Sequence, residues 1–522
     1  MGKVLLIVVL VLLVLAVAQM MRVYELSSKV RGRKEPTITR RENNMNAVLM
    51  LVFCIAFFGF VIWQMVAYGM GGKGPSVSIH GEATDWLIGL NFGIIIPVFF
   101  LCNALLFYFA FKFAYKKDRD VYYLTHNNKL EMMWTVAPAI VLAIIIVLGL
   151  RTWNDITDMS GDYVVHEHTG LVVNDGKVES NFEFKAAYQT VEEAGVGLSN
   201  LSGSSKLVLV EKGGEWVLQT YEMDGESALI ITEQKKFNSR NSALLSLVDE
   251  EVSMFTELKE QKLIEIYSKQ FDWTTRYAGK DNALGDANFK LIDYNSWGDT
   301  NTFLNPLGLI SSETIELHFN RIDARVSYLN EFLGSAEAAF ETDEKLAEMT
   351  EEMERLKRKK MRVQSTIAND MGLNAMNQSE VNSRVYDDVI LKGDIHLVVG
   401  QPYQFQFKSQ DVIHSAYFPH FRAQMNCVPG MATQIKFTPT MTTKEFREHP
   451  DVIAKYEAIN KAREKVGKPL VEASFLLLCN KICGLSHSNM WVNVIVETQE
   501  EYEAWMADQK TFEQQLQASN LK

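Results

Sequence analysis

The chain has 522 residues, of which 47% are hydrophobic, 11% aromatic and 22% charged. Its 52 Lys and Arg residues stand against 64 Asp and Glu residues, which gives a net charge of −12. The apolar content excludes a disordered chain, and five cysteines are too few for a disulfide scaffold. The acidic balance argues against a nucleic-acid binder, and the length allows roughly two to four domains.

Apolar residues concentrate near the N-terminus, in runs 4–21, 47–68, 86–113 and 132–150. Each run is long enough to cross the hydrocarbon core of a membrane. Each is also apolar on every face, whereas a core helix of a soluble protein is amphipathic. The sequence therefore predicts four membrane spans.

The charges of the connecting loops predict how these spans are oriented. Basic residues concentrate in the loops after the first and third runs, which the positive-inside rule places in the cytoplasm. The N-terminus and a large C-terminal region then lie outside. Ala16-Val17-Ala18 has the form of a signal-peptidase site, so cleavage of the first run stays open. We expect an uncleaved helix, because cleavage would leave a strongly basic segment outside.

The two parts of the chain differ in charge. Residues 1–158 carry 15 Lys or Arg and 10 Asp or Glu, which leaves 37 and 54 for the remainder. A strongly acidic outer region favours a basic partner such as a small cytochrome. The alternative is that the acidic residues only keep this region soluble, which would explain the same charge.

Beyond the membrane runs, the patterns predict β-strands with helical additions. A hairpin turns at Lys212-Gly-Gly, an amphipathic helix covers 242–258, and one aromatic strand covers 263–277. A helical hairpin is predicted for 312–365, and short strands return after Asp388, interrupted by a helix at 444–465. Strands at this spacing are typical of a β-barrel or sandwich.

These patterns divide the chain into segments. We expect an extra membrane helix with a basic loop, a second extra helix, a two-helix membrane anchor, an inserted α/β segment, a β-barrel domain and a helical tail. Their bounds are 1–46, 47–85, 86–158, 159–261, 262–498 and 499–522, and the β-barrel domain carries insertions at 312–365 and 441–472.

Potential metal ligands concentrate in one stretch. Cys479, Cys483, His487 and Met490 lie within twelve residues, and His414 follows a predicted strand upstream. Thiolate, thioether and imidazole together favour copper. A single blue-copper ion uses one Cys, so the second thiolate could bridge a pair of copper ions, each with one His. A Cys479–Cys483 disulfide is the alternative. No Cys-x-x-Cys-His motif occurs, which excludes covalent haem c on this chain.

These residues resemble subunit II of the haem–copper cytochrome c oxidases, whose binuclear copper centre is called CuA. Three blocks carry the resemblance: NKLEMMWTVAP at 128–138, KQFDWTTRY at 269–277, and the segment from Asp411 to Met490. In all, the resemblance covers residues 86–158, 262–296 and 385–498.

The resemblance implies a mixed fold, with transmembrane α-helices followed by a cupredoxin-like β-barrel on the periplasmic side of a bacterial inner membrane. The implied ligands of two copper ions are His414, Cys479, Cys483, His487, Met490 and the backbone carbonyl of Lys481. The chain would accept electrons from cytochrome c and pass them to subunit I. That separate subunit holds the haems and CuB, reduces O2 and translocates protons, so this chain carries no catalytic residue.

Glu131 matches the carboxylate that the family places at a proton-uptake entrance, or is simply an interfacial Glu.

Lys481 and Asn426 replace a usual Glu and Asp of the family. This speaks against a magnesium site of the usual form at the subunit interface, because an ammonium group cannot ligate a cation. Phe271 stands where the family often has the Trp that admits electrons, and Trp273 is the nearest remaining indole. We therefore expect a donor that docks differently, such as a tethered cytochrome or a partner complex.

Two alternatives stay open. One is a quinol oxidase subunit II, which keeps the fold but lacks copper. The other is a membrane-anchored copper assembly protein, which would not need the 128–138 and 269–277 blocks. We expect the inserted segments to contact other oxidase subunits. Membership of a respiratory supercomplex and the haem type of subunit I stay undecided.

Overall fold

The computed structural model describes most of the chain beyond residue 39. The described ranges are 40–69, 74–116, 119–120, 126–157, 161, 163–174, 177–191, 193–194, 207–224, 228–252, 254–292, 305–366 and 383–519, with scattered positions from 12 to 30. The first predicted span, 4–21, lies largely outside these residues, and so does the question of its cleavage.

Three long helices come first: α1 (Arg40–Tyr68), α2 (Ile79–Lys112) and α3 (Asn128–Thr157). Within the described part of the chain, these three are long and apolar enough to cross a membrane. They correspond to the second, third and fourth predicted runs. Pro97 and Pro138 lie inside α2 and α3, a position that membrane helices tolerate because neighbouring groups satisfy the freed carbonyls.

A six-stranded sheet follows the helices. Its strands are β1 (Tyr163–Asn174), β2 (Lys177–Tyr188), β3 (Leu207–Lys212), β4 (Glu215–Asp224), β5 (Ala228–Phe237) and β6 (Met254–Glu260), in the order β2-β1-β6-β3-β4-β5. Helix α4 (Arg240–Asp249) covers one face, where Leu244 and Leu247 pack with Leu209 and Phe255.

The predicted helix 242–258 is therefore wrong in its second half. Helix α4 ends because Glu251 adopts a left-handed backbone conformation, with φ of 58°, and the N–H of Val252 bonds back to the carbonyl of Leu247. Phe255 and Leu258 then point to opposite faces of β6, a strand buried between β1 and β3. A short run that is apolar on both faces cannot be distinguished from a helix by periodicity alone.

Two five-stranded sheets form the next domain and share one core rich in phenylalanine. The first has the order β14-β11-β7-β8-β9 and the second has β10-β16-β15-β12-β13. The bounds are β7 (Lys262–Lys269), β8 (Asp272–Tyr277), β9 (Val389–Lys392), β10 (Ile395–Val398), β11 (Tyr403–Ser409), β12 (His414–Phe418), β13 (Ala423–Cys427), β14 (Thr433–Phe437), β15 (Phe475–Cys479) and β16 (Trp491–Glu497). The predicted mixed fold class, membrane-type helices followed by a β-barrel with helical additions, is confirmed.

The predicted single strand at 263–277 is instead the hairpin of β7 and β8. Lys269 pairs with Asp272, so Gln270 and Phe271 form the turn. The aromatic and β-branched residues on both sides of this turn have the same strand character, and the turn itself lacks the Gly, Asn or Pro that usually marks one. The hairpin places Phe271 at a loop tip instead of inside a strand.

The remaining helices are additions to these two sheets. Helices α5 (Ser312–Leu333) and α6 (Asp343–Ser365) form an antiparallel hairpin whose contact is made by Ile322, Leu329 and Leu356. Helices α7 (Thr443–Glu448) and α8 (Pro450–Glu464) lie between β14 and β15. The chain ends in α9 (Gln499–Ala507) and α10 (Phe512–Ala518), and the N–H of Phe512 donates to the carbonyl of Asp388 at 2.7 Å.

Candidate metal centre

The predicted ligands come from two neighbouring strands and one loop. Strand β15 ends at Cys479, the loop carries Cys483 and His487, and Met490 directly precedes β16. The N–H of Cys479 donates to the carbonyl of Met490 at 3.0 Å, which closes the loop at its base. His414 opens β12, which pairs with β15. The structure thus brings all the predicted ligand residues to one end of the domain.

The two thiols form the middle of the cluster. Their Sγ atoms lie 3.8 Å apart, and both cysteines are free. This separation is far longer than a disulfide bond of about 2.05 Å. Cys479 and Cys483 therefore do not form a disulfide here, and both sulfurs remain available as ligands.

Each thiol has its own set of neighbouring donors. The Nδ1 of His414 lies 3.8 Å from the Cys479 sulfur, and the Nδ1 of His487 lies 3.5 Å from the Cys483 sulfur. The Met490 sulfur is 3.8 Å from Cys483, and the carbonyl oxygen of Lys481 is 3.2 Å from Cys479. Two thiols with one imidazole each, plus a thioether on one side and a carbonyl on the other, form a donor set of the soft type that copper favours.

Four of the predicted ligand side chains are shielded from water, and His487 is half-buried. His414 is fully buried, and Cys479, Cys483 and Met490 are nearly so. Burial, reinforced by the neighbouring thiol, raises the pKa of Cys483 to about 11. A group of His414, Cys479 and Cys483 with ligand atoms within 4.8 Å of one another could hold a metal ion. A bound cation would favour the thiolate forms that this burial disfavours.

Asp411 and Gln270 are not predicted ligands, but they form hydrogen bonds that position the ligand residues. The Asp411 carboxylate lies 2.9 Å from the Nε2 of His414, which leaves the Nδ1 facing the thiols. Burial alone would raise the pKa of Asp411, but the N–H of Gln270 and the His414 imidazole hold it below its usual range. The N–H of Gln270 donates to Asp411 at 2.7 Å, and its side-chain amide donates to the carbonyl of Cys483. Neither supporting role was predicted from the sequence, although Asp411 lies three residues before His414.

The two predicted electron-input residues differ in exposure. Phe271 is 36% exposed, and a Cβ built on Gly484 would come within 2.9 Å of its ring, so the ring lies against the ligand loop. Trp273 is 1% exposed, and its ring lies edge-on to His414 with centroids 6.3 Å apart. Trp273 is thus an interior neighbour of a ligand. Trp491, which follows Met490 directly, is the half-exposed indole beside the centre and was missed.

Glu131 lies in the first turn of α3. Its carboxylate accepts a hydrogen bond from the N–H of Asn127 at 3.5 Å and lies 3.9 Å from the His126 ring. The side chain of Asn127 in turn accepts from the N–H of Leu130 at 3.2 Å. These contacts satisfy free N–H groups at the start of a helix. The structure therefore gives Glu131 a capping contact, which leaves its proposed role in proton uptake as a prediction.

The other cysteines lie outside this cluster. Cys54 and Cys102 lie in α1 and α2. Cys427 pairs with His414 across β12 and β13, and burial raises the pKa of its thiol to about 12. Among the described residues, Cys427 is not part of the group of His414, Cys479 and Cys483 that could hold a metal ion.

Part of the chain is similar to known proteins. Residues 67–152 match the family model described as cytochrome C oxidase subunit II, transmembrane domain. The alternative cytochrome c oxidase subunit 2 of Bradyrhizobium diazoefficiens is 34% identical over 145 residues. The chain is similar to cytochrome c oxidase subunit II. The predicted resemblance is confirmed.

The likeness to these relatives is partial. The first match covers 28% of this chain and 40% of the Bradyrhizobium protein. The cytochrome c oxidase subunit 2 of Thermostichus vulcanus is 29% identical over 119 residues, which cover 23% of this chain and 27% of that protein. The chain therefore matches less than half the length of either relative, and most of this chain lies outside either alignment.

Solved structures with similarity to the chain include the periplasmic domain of subunit II of cytochrome oxidase of Bradyrhizobium japonicum. It has a TM-score of 0.17 and 16% identity, and the match covers 23% of this chain and 75% of that one. A mixed disulfide between a thioredoxin-like protein and a cytochrome c oxidase subunit II gives a TM-score of 0.19 and 12% identity, with coverage of 47% and 88%. Scores this low do not define a common fold, so the fold assignment depends on the strand order given above.

Proposed function

We propose that this chain is the electron-input subunit of a membrane terminal oxidase, and that His414, Cys479, Cys483, His487, Met490 and the Lys481 carbonyl hold two copper ions. The observation that carries the proposal is the pair of thiols 3.8 Å apart, each with its own imidazole. When bound, two copper ions sharing these thiolates would supply a one-electron carrier. A copper-lacking quinol oxidase subunit would have no use for this donor set.

The residues around the centre would limit structural change during electron transfer. His414 is fixed by Asp411, and the carbonyl of Cys483 is fixed by Gln270. The β15 and β16 strands pair directly beneath the loop, from Leu478 with Trp491 onward. Ligands held by rigid strands and outer hydrogen bonds keep their positions when the charge of a metal centre changes. Such rigidity suits repeated one-electron transfer.

The loop also offers a surface to a partner. Ile482 and Leu485 are almost fully exposed, and Trp491 and Phe271 flank the same loop. We propose that cytochrome c, or a cytochrome c domain of a partner complex, delivers electrons near Phe271, and that oxidase subunit I receives them. The exposed Lys481 side chain cannot ligate a divalent cation, which supports the absence of a magnesium site of the usual form.

The membrane location and orientation are part of the same proposal. Three helices of sufficient length and the match at residues 67–152 support anchoring in the membrane. We propose that the copper centre faces the periplasm of a bacterial inner membrane, as the basic loops predict. The assembled complex would reduce O2 to water on subunit I and couple this reaction to proton translocation.

An assay of donor preference tests the proposal. Membranes that contain the full chain and its oxidase should oxidise reduced cytochrome c, and Cys483→Ser should abolish this activity. Cys102→Ser, in α2 and outside the cluster, is the matched control and should leave it unchanged. Oxidation of a quinol that survives Cys483→Ser would contradict the proposal. Copper binding without any electron transfer would instead indicate an assembly protein.

A further inference from the structure

The outward face of α6 carries a regular stripe of charges, which we call the α6 stripe. Its members are Glu344, Glu348, Glu351, Arg355, Arg358 and Arg362, and all six side chains are exposed. Their spacing of four and three residues in alternation keeps them on one side of a helix. The first three are acidic and the last three are basic.

The stripe faces away from the rest of the hairpin. The inward side of α6 carries Leu356 and Val363, which are buried. Its flanking charges are already used toward α5, because Glu352 forms a double ion pair with Arg325 at 3.0 and 2.9 Å, and Lys360 contacts Asp323 at 2.6 Å. The hairpin is therefore held together without the α6 stripe.

Helix stability does not require this separation of charge. The helix dipole favours acidic residues in the first turn and basic residues in the last, but its effect ends within those turns. Glu351 and Arg355 lie in the middle of α6. Meanwhile Glu344 and Glu348, and likewise Arg358 and Arg362, are like charges four residues apart, which destabilise an isolated helix. Alternating charges would suit a solvated helix better.

The order of the charges is self-complementary about Met353. If a second copy of α6 lies antiparallel, position 344 meets 362, position 348 meets 358, and position 351 meets 355. Each of these three pairs joins a Glu of one copy to an Arg of the other. The two-fold axis generates every pair a second time with the two copies exchanged. A two-fold interface has this property, in which the same patch on both copies is complementary to itself.

We propose that two copies of this chain associate through their α6 stripes, antiparallel and about a two-fold axis near Met353. The charged stripe spans about 27 Å at 1.5 Å per residue. Exposed ion pairs are individually weak, so the contact depends on both chains being anchored in one membrane, where the effective concentration is high.

A cysteine near the axis reports the contact directly. Antiparallel pairing about Met353 leaves position 354 of one copy offset by only about 3 Å, along the helix axis, from position 354 of the other. Glu354→Cys in the full chain, in membranes and with a short thiol cross-linker, should give a covalent dimer. Ser327→Cys, exposed on α5, is the matched control and should stay monomeric. Raising the salt concentration before cross-linking should reduce the dimer yield, because exposed charge pairs are screened.

Charge reversal then tests the pairing. E344R/E348R/E351R makes the stripe wholly basic, and R355E/R358E/R362E makes it wholly acidic. In the Glu354→Cys background, each variant alone should lose dimer by at least about tenfold, because like charges then face each other. Co-production of the two variants should restore a mixed dimer. Circular dichroism of each variant controls for folding.

Several outcomes would overturn the proposal. One is equal cross-linking at positions 354 and 327, and another is a dimer yield unaffected by charge reversal. A mixture of the two variants that fails to cross-link while both are folded would also contradict it. So would cross-links from position 354 that lead only to a different protein, since the stripe would then bind another partner.

Discussion

The side-chain amide of Gln270 donates a hydrogen bond to the backbone carbonyl of Cys483, across 213 residues of sequence. The backbone N–H of the same Gln270 donates to Asp411, which in turn holds the ring of His414. One residue at the tip of the β7–β8 hairpin therefore supports both the thiol loop and an imidazole. The geometry of the centre depends on this outer connection as well as on the ligands themselves.

Replacing Gln270 by Ala should loosen the ligand loop. Loss of an outer-shell hydrogen bond typically lowers metal affinity by roughly 10–100-fold, and we expect an effect in this range. Competition with a copper chelator measures it. Gln434→Ala, which removes a hydrogen bond to Gln404 in another part of the domain, is the control. An unchanged copper affinity in Gln270→Ala would show that the strands alone position the loop.

Asp411→Asn should affect His414 in particular. The amide keeps the size of the side chain but removes the charge that orients the imidazole. We expect copper to be retained more weakly, also by roughly 10–100-fold, with a changed electron paramagnetic resonance spectrum. A spectrum identical to that of the unmodified protein would mean that His414 is held by packing in β12.

Phe271→Ala should slow electron delivery without disturbing the copper ligands. The ring is exposed and lies against the ligand loop, whereas no ligand atom belongs to it. Stopped-flow reduction by cytochrome c should be slower, while the optical spectrum stays the same. Phe289→Ala, which removes a 74% exposed ring elsewhere, should change neither. A normal reduction rate in Phe271→Ala would place electron input at another residue, with Trp491 the first to test.

The contribution of Asp388 to stability should fall as the pH rises toward 7. Burial raises the pKa of its carboxyl to about 7, against the attraction of Arg276 at 3.1 Å. The folded state therefore holds a proton that the unfolded state releases near pH 4, so the protonated form stabilises the fold. Relative to the unmodified chain, Asp388→Asn should therefore gain more resistance to urea at pH 7 than at pH 4.5.

The variant Asp388→Asn isolates this contribution. The neutral amide should reduce the pH dependence by an amount on the order of 2 kcal/mol, since each pKa unit corresponds to about 1.36 kcal/mol. Asp394→Asn, which alters a carboxylate that bonds Asn493 at the surface, serves as the control. A pH profile that is the same with and without Asp388 would contradict the assignment.

Local patterns in the sequence predicted the features that depend on local physics. Runs apolar on all faces indicated α1, α2 and α3, and the spacing of apolar residues indicated the helical hairpin. The ligands could be named because two thiols, two imidazoles and a thioether form a rare combination. Each of these signals is readable without knowing which strands pair.

The features that were predicted wrongly or missed depend on contacts between residues far apart in the sequence. The turn at Gln270 and Phe271 donates hydrogen bonds to Asp411 and to the carbonyl of Cys483, which lie far from it in the sequence. Trp273 could be seen as an aromatic residue, but its burial beside His414 depends on how the two sheets face each other. The second half of the predicted helix 242–258 became a central strand because β1 and β3 lie on either side of it.

The copper content of the purified full chain tests the central claim most directly. Elemental analysis should find two copper ions per chain, with a mixed-valence electron paramagnetic resonance signal that disappears in Cys483→Ser. Cys102→Ser should keep both. A protein that binds no copper, or one copper ion without mixed valence, would contradict the assignment of Cys479 and Cys483 as the shared ligands of a two-copper centre.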